Sequence, residues 1–119
     1  MYKRQGKSAL ALQLMALGAD LVADDGTLIR RGAEGGLWAS CPEPIAGRIE
    51  ARGVGILAAD SVPSAQLVLV VDLDQPEPDR LPPFRKITLL GEEVDLLLRV
   101  DHAHFASAIL QYLKAGRAA

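Results

Sequence analysis

The sequence is short of the features that most often declare a function. It holds one cysteine, Cys41, which excludes an internal disulfide and points to a reducing compartment. Aromatic residues make up 4% of the 119, so a core has to come from Leu, Val, Ile and Ala. Charge of one sign is missing too. Thirteen Lys and Arg stand against fifteen Asp and Glu, a net −2, which gives no electrostatic pull onto nucleic acid. The longest apolar runs fall well short of the roughly 20 residues that cross a bilayer. The start lacks the small-residue cleavage pattern of a signal peptide. No internal repeat or low-complexity tract is present. A cytoplasmic protein with neither nucleic-acid nor membrane partners is the expectation.

What is present is apolar and alternating. Half of the residues are hydrophobic, which argues against disorder, and the length suits one domain. Residues 7–17 are good helix formers with Leu10, Leu14 and Leu17 on one face, and Gly18 stands where a left-handed cap belongs. This helix is apolar over most of its surface, so cover on two sides is expected. Leu21-Val22-Ala23 reads as a strand that delivers Asp24 and Asp25 into a turn, with Thr27 to Arg31 as the returning arm. Leu37 to Cys41 reads as a further strand. Pro44 is expected to start a short helix through Ile49, with Gly53 to Leu57 as a glycine-bearing turn into a strand. Gln66 to Leu73, apolar on both faces, is expected at the centre of a sheet. "DQPEPDRLPPF" carries four prolines and reads as an irregular connection. Lys86–Leu90 and Glu93–Val100 form a hairpin about Gly91. Asp101 is the expected N-cap of a last helix, 102–114, striped by Ala106, Ile109, Leu110 and Leu113 and stopped by Gly116. The expected class is α/β, a mixed sheet with flanking helices. The single domain spans 6–119, and residues 1–5 read as foreign to it, a truncated start or a cloning scar.

Three motifs carry chemistry, each beside a plainer reading. Gly6-Lys7-Ser8 matches the end of a phosphate loop. There backbone N–H groups and a helix N-terminus face the phosphates, the lysine reaches the β- and γ-phosphates, and the serine hydroxyl holds Mg²⁺. Its plainer reading is a solvated lysine in a helix's first turn. Asp24-Asp25 follows a strand, where α/β proteins place catalytic carboxylates, and equally reads as a turn. "IEARGVGI", 49–56, puts Glu50, Arg52 and two glycines together, with Gly53 and Gly55 allowing close backbone approach; otherwise it is a helix end with a surface ion pair. Together they share a charge logic: phosphates and Mg²⁺ call for carboxylates and an arginine nearby. His102 and His104 read as solvated, and Trp38 and Cys41 as core or interface residues.

In this order the motifs resemble the catalytic domain of HPr kinase/phosphorylase, in its short proteobacterial form. "GKSALALQLMALGADLVADD" looks like that family's phosphate loop, helix and paired-Asp strand, and "CPEPIAGRIEARGVGI" like its signature segment. The likeness covers Gly6 to about Ile56 and weakens from Pro63. It implies a phosphate-loop kinase fold of the PEP-carboxykinase-like type. It implies an ATP-dependent protein serine kinase, and phosphorylase, that acts on HPr in control of bacterial carbohydrate use, with ATP and Mg²⁺ bound and a homo-oligomeric assembly. Carried over residue by residue, Gly6, Lys7 and Ser8 would bind nucleotide, Ser8 and Glu50 the Mg²⁺. Asp24 would be the general base and Asp25 would sit by the metal. Arg52 and Gly53 would shape the signature loop.

The family's launching strand, its upstream histidine and its leading loop glycines have no counterpart before Gly6, so this chain is expected to bind ATP less tightly than a version with that lead-in restored. The family's later arginine-bearing loop is not recognisable either, although Arg80, Arg85 and Lys86 lie near its place. A non-catalytic or truncated nucleotide-binding regulatory module and another small phosphate-loop kinase are the alternative functions.

Overall fold

The computed structural model describes residues 5–24, 26–42 and 46–119. Two helices and eight strands make up the described fold. Helix α1 (Gln5–Ala16) opens it. Its end follows from Gly18, whose φ of +107° an L-residue rarely adopts. The Gly18 N–H donates to Met15 O and the Ala19 N–H to Leu14 O, both at 3.0 Å, which satisfies the last carbonyls. The expected face holds only in part. Leu10 and Leu14 are half-buried but Leu17 is 53% exposed, because it lies beyond the helix end.

Strands β1 (Leu28–Arg31), β2 (Leu37–Ser40) and β5 (Ser64–Gln66) form an antiparallel sheet in the order β1-β2-β5. Strand β1 pairs with β2, not with the Leu21 segment as expected. Leu21 makes only an isolated parallel bridge to Ser61, with its N–H on Asp60 O and its carbonyl taking the Val62 N–H. The bridge stops at this one pair, three residues before Asp24.

Strands β3 (Arg48–Ala51) and β4 (Gly55–Ala58) form a separate hairpin. The helix expected to run to Ile49 is therefore a turn and a strand from Ala46 onward, while its start at Pro44 and Ile45 lies outside the described residues. Ile49 and Ala51 are buried and Arg48 and Glu50 exposed, the two-residue alternation of a strand on one apolar face. Three residues close the hairpin. Gly53 turns at φ +84° and the Val54 N–H donates to Ala51 O at 2.9 Å.

The third sheet runs β6-β8-β7. Strand β6 (Leu69–Pro76) lies parallel to β8 (Glu92–Arg99), and β7 (Arg85–Leu89) antiparallel to it. The central strand is thus β8, which buries Val94 and Leu98. The segment expected at the centre splits into β5 and β6, and β6 is an edge. It also runs on into the proline-rich stretch as far as Pro76, through a register shift after Asp72. Helix α2 (Phe105–Ala115) buries Phe105, Ala106 and Ile109. Its N-cap is His104, without a side-chain cap bond. Asp101, expected there, takes the Arg99 Nε–H at 3.0 Å instead. Gly116 ends the helix as expected, its N–H on Tyr112 O.

The buried core draws on Leu21 and on β2, β3, β8 and α2, and α1 packs on β3 and α2. Leu37 and Ile49 are the most deeply buried large side chains. This packing sets the first turn of α1 above the β3 edge.

Candidate functional site

Gly6, Lys7 and Ser8 lie in the first turn of α1. Gly6 and Lys7 are exposed and Ser8 is half-buried. The plainer expectation, a lysine in water at a helix start, describes Lys7 in this structure. Ser8 does more. Its hydroxyl donates to Asp24 Oδ1 at 2.9 Å, across sixteen positions of sequence. Asp24 Oδ2 accepts the main-chain N–H of Glu50 at 2.8 Å. One half-buried carboxylate thus ties the opening helix to β3, which brings three separated stretches of sequence to one point.

The local reasons are separate. Ser8 is half-buried while its chain neighbours Lys7 and Ala9 are exposed, so the turn of the helix carries the hydroxyl to the inward flank. Asp24 follows the Leu21–Ser61 bridge by three residues. The Glu50 N–H points off the edge of β3 that pairs with no described strand, and Asp24 satisfies it. The Glu50 side chain, expected to act through its carboxylate, is exposed on the face opposite Ile49. The part of Glu50 that the structure ties into the cluster is its main chain. Arg52 and Gly53 form the exposed tip of the β3–β4 hairpin. Asp25 lies outside the described residues.

The donor set is oxygen: the Ser8 hydroxyl and the Asp24 carboxylate. Hard oxygens suit Mg²⁺, which usually takes one or two protein ligands and completes its shell with water and substrate phosphates. Among the described residues no three His, Cys, Asp or Glu side chains gather as a cage, so any fit is of that sparse kind. Each Asp24 oxygen spends one acceptor site on its hydrogen bond, and a carboxylate offers about four in all.

Two of the three cations near the expected arginine loop, Arg85 and Lys86, are engaged elsewhere. Arg85 makes a two-pronged pair with Glu77, Nε to Oε1 at 3.0 Å and Nη2 to Oε2 at 2.9 Å. Those hydrogen bonds hold the Glu77 carboxyl below its ordinary range. Lys86 pairs with Asp95, whose second oxygen takes the Tyr112 hydroxyl at 2.9 Å. The Lys86–Asp95 pair follows from the register of the β7–β8 hairpin, whereas no hairpin register announces the Glu77–Arg85 pair. His102 and His104 are exposed as expected, their rings stacked at 5.6 Å. Cys41 and Trp38 are half-buried.

Comparison with known proteins extends beyond the expected half of the chain. The family model described as "HPr Serine kinase C-terminal domain" matches residues 4–89. The HPr kinase/phosphorylase of Geobacillus thermodenitrificans is 39% identical over 99 residues, covering 77% of this chain and 31% of that protein. That of Bordetella pertussis is 44% identical over 52 residues, 44% of this chain and 17% of that protein. The chain spans under a third of the length of these curated relatives. A solved structure, the HPr(Ser) kinase/phosphatase from Coxiella burnetii, superposes with a TM-score of 0.74 at 25% identity, covering 92% of this chain and 74% of that one. With a family match over most of its length and a mixed α/β fold shared with that structure, the chain belongs to the HPr serine kinase C-terminal domain family.

Proposed function

We propose that the chain, as a single catalytic domain over 6–119, transfers the γ-phosphoryl group of ATP to a serine of HPr and runs the phosphorolytic reverse. The observation that carries this reading is the Asp24 carboxylate, held between the Ser8 hydroxyl and the Glu50 N–H. Family membership supplies the substrate class. Phosphoryl transfer asks a protein for alignment and charge balance more than for covalent chemistry, and the cluster offers both.

Lys7, on the exposed first turn, reaches toward the β- and γ-phosphates. The helix N-terminus faces the same negative charge. Ser8 would hold Mg²⁺, with the exposed Glu50 carboxylate as its further ligand, and Asp24 is left to act as the base. Mg²⁺ supplies neutralisation of phosphate charge as it moves between oxygens. Asp24 accepts the proton of the HPr serine as that oxygen forms its bond to the γ-phosphorus. The bond from the γ-phosphorus to the bridging oxygen breaks, and ADP leaves. In reverse, Asp24 takes a proton from inorganic phosphate as it attacks phosphoserine. The serine oxygen leaves and regains a proton, and pyrophosphate forms. A base so placed contributes roughly 10²–10⁴-fold. Arg52 and Gly53 shape the hairpin tip beside this centre, and Asp25, adjacent in sequence, serves the metal. The reading includes a cytoplasmic, homo-oligomeric protein. Among the described residues no helix is long and apolar enough to cross a membrane.

The test is transfer itself. Incubation with HPr, Mg²⁺ and γ-labelled ATP is expected to label one serine. Asp24→Asn is the informative variant. Its amide oxygen can accept from the Glu50 N–H while its NH₂ donates to Ser8, whose hydroxyl accepts as readily as it donates. The fold and nucleotide binding are therefore kept and transfer is lost by about 10²-fold or more. Full transfer by this variant would remove Asp24 from the chemistry. Nucleotide bound without any transfer by the parent chain would leave a regulatory binding module.

A further inference from the structure

We infer that the open edge of β1 docks an extended segment of a partner protein whose sequence runs acidic, acidic, apolar, apolar. The inference goes beyond the phosphoryl-transfer reading and does not rest on it.

Exposure is the first argument. β1 is the outer strand of its sheet, with β2 on one side and no described strand on the other. Its four residues, Leu28 to Arg31, are all exposed, and no other described strand is exposed along its whole length. Leu28 is 57% exposed and Ile29 39%. The two are adjacent in a strand, so they stand on opposite faces of the sheet. Each face of the edge thus carries a large aliphatic side chain in water.

The main chain is the second. The register pairs β1 with β2 without a break, from Leu28–Ser40 to Arg31–Leu37. One step on, the Gly32 N–H donates to Gly36 O at 2.9 Å. Residues of an antiparallel pair alternate between bonding across the pair and facing away. Gly32 bonds inward, so Arg30 and Leu28 do too, and Ile29 and Arg31 turn their N–H and C=O outward. Edge strands are commonly closed to further pairing by proline, a bulge or a covering element. Among the described residues β1 has none of these.

Charge is the third, and it selects the partner. Arg30 makes no side-chain bond among the described residues. Arg31 reaches Glu92 at 3.5 Å with 62% of its side chain still exposed. A second copy of β1 laid on the first would bring four arginines to one seam, and like charges across strands are unfavourable. A strand with carboxylates opposite Arg31 and Arg30, and apolar side chains opposite Ile29 and Leu28, complements every position. Running antiparallel, it reads acidic, acidic, apolar, apolar from its N-terminal end. In this mode of recognition the ladder supplies affinity and the side chains supply specificity.

The experiment uses the whole chain and three short peptides flanked by threonines. One carries Glu-Glu-Val-Val, one Glu-Lys-Val-Val, and one Glu-Glu-Val-Val with its first valine N-methylated. The parent chain is expected to bind the first peptide, with shifted resonances and slowed exchange at the Ile29 and Arg31 amides. Arg30→Glu is expected to bind that peptide about tenfold more weakly and to prefer Glu-Lys-Val-Val by a like factor. Recovery on the swapped peptide also shows that the variant is folded. N-methylation removes the donor that faces the Ile29 carbonyl and is expected to abolish binding. An N-methylated peptide that binds as well as the first overturns the inference, because the attraction is then charge without a ladder. Absence of binding to the parent chain, or an unchanged preference in Arg30→Glu, overturns it too. Ile29 and Arg31 amides already slow to exchange without peptide, in a chain that sediments as an oligomer, would give the edge to a second copy and overturn it as well.

Discussion

At the scale of single residues, the molecule spends its charge on pairs between elements. Glu77 is the best placed of them, with its side chain only 6% exposed and both oxygens on Arg85. Asp95 is held below its ordinary range by Lys86 first and Tyr112 second. Both carboxyls are depressed in the fold, from ordinary values of 4.5 and 3.8. Their contribution is therefore present above those values and is lost as pH falls through the depressed ones. On the other side, Lys86 is raised by Asp95, and Tyr112 is raised by burial and then by Asp95. Their contribution is complete below about pH 10 and lost above it. The melting temperature is expected to be level through neutral pH and to fall below about pH 4. In the double variant Glu77→Gln, Asp95→Asn that acid fall should be shallower, with a lower starting value. An acid limb as steep as in the parent would remove these two carboxyls as its cause.

At the scale of elements, the turns decide register. The β7–β8 hairpin closes on two residues, Leu90 and Gly91, with φ of +50° and +79°. Two left-handed residues make the turn whose twist matches the strands. Glycine adopts that conformation freely, but leucine is strained in it by about 1–2 kcal/mol. Leu90 is 55% exposed, so its side chain returns little through burial. Leu90→Asn is expected to stabilise the fold by roughly 1 kcal/mol, read as a higher urea midpoint with an unchanged slope. A lower midpoint would mean that the exposed leucine makes a contact worth more than the strain. This hairpin was legible in the sequence because Gly91 and the apolar arms are local signals. The β3–β4 hairpin was half legible. Gly53 announced the turn, but Pro44 drew the reading toward a helix, and four residues of alternation at Arg48–Ala51 are too few to outweigh it. Gln66–Leu73 misled in another way. Its apolar run suggests burial on both faces, yet β6 is an edge strand. An apolar run records which faces are covered and carries no count of neighbouring strands.

At the scale of the whole molecule, the candidate site depends on packing far from its polar atoms. Ile49 is 1% exposed and lies on β3, against which α1 packs. The next residue, Glu50, offers the N–H that Asp24 accepts. Trimming Ile49 to alanine is expected to cost about 2–5 kcal/mol and to loosen the seat of α1. Ile49→Val is expected to cost only about 0.5–1.5 kcal/mol and to leave the site in register. Denaturation gives the stabilities, and amide exchange at Glu50 reports the site. If Ile49→Ala keeps the Glu50 amide as protected as the parent at equal global stability, the hairpin holds its place without α1.

The sequence by itself determined the class of the fold and the two helices with their glycine stops, and it singled out Ser8, Asp24 and Glu50 among the residues expected at the site. Those properties are carried by periodicity, capping and motif spacing, all of which are local or nearly so. The tertiary structure alone decided that Ser8 and Asp24 touch, that Glu50 contributes its main chain to that contact, and that β8 is the central strand of its sheet. Contacts across sixteen or twenty-six positions depend on how elements pack, and packing follows from the sum of all buried faces together. No window of neighbouring residues contains that sum.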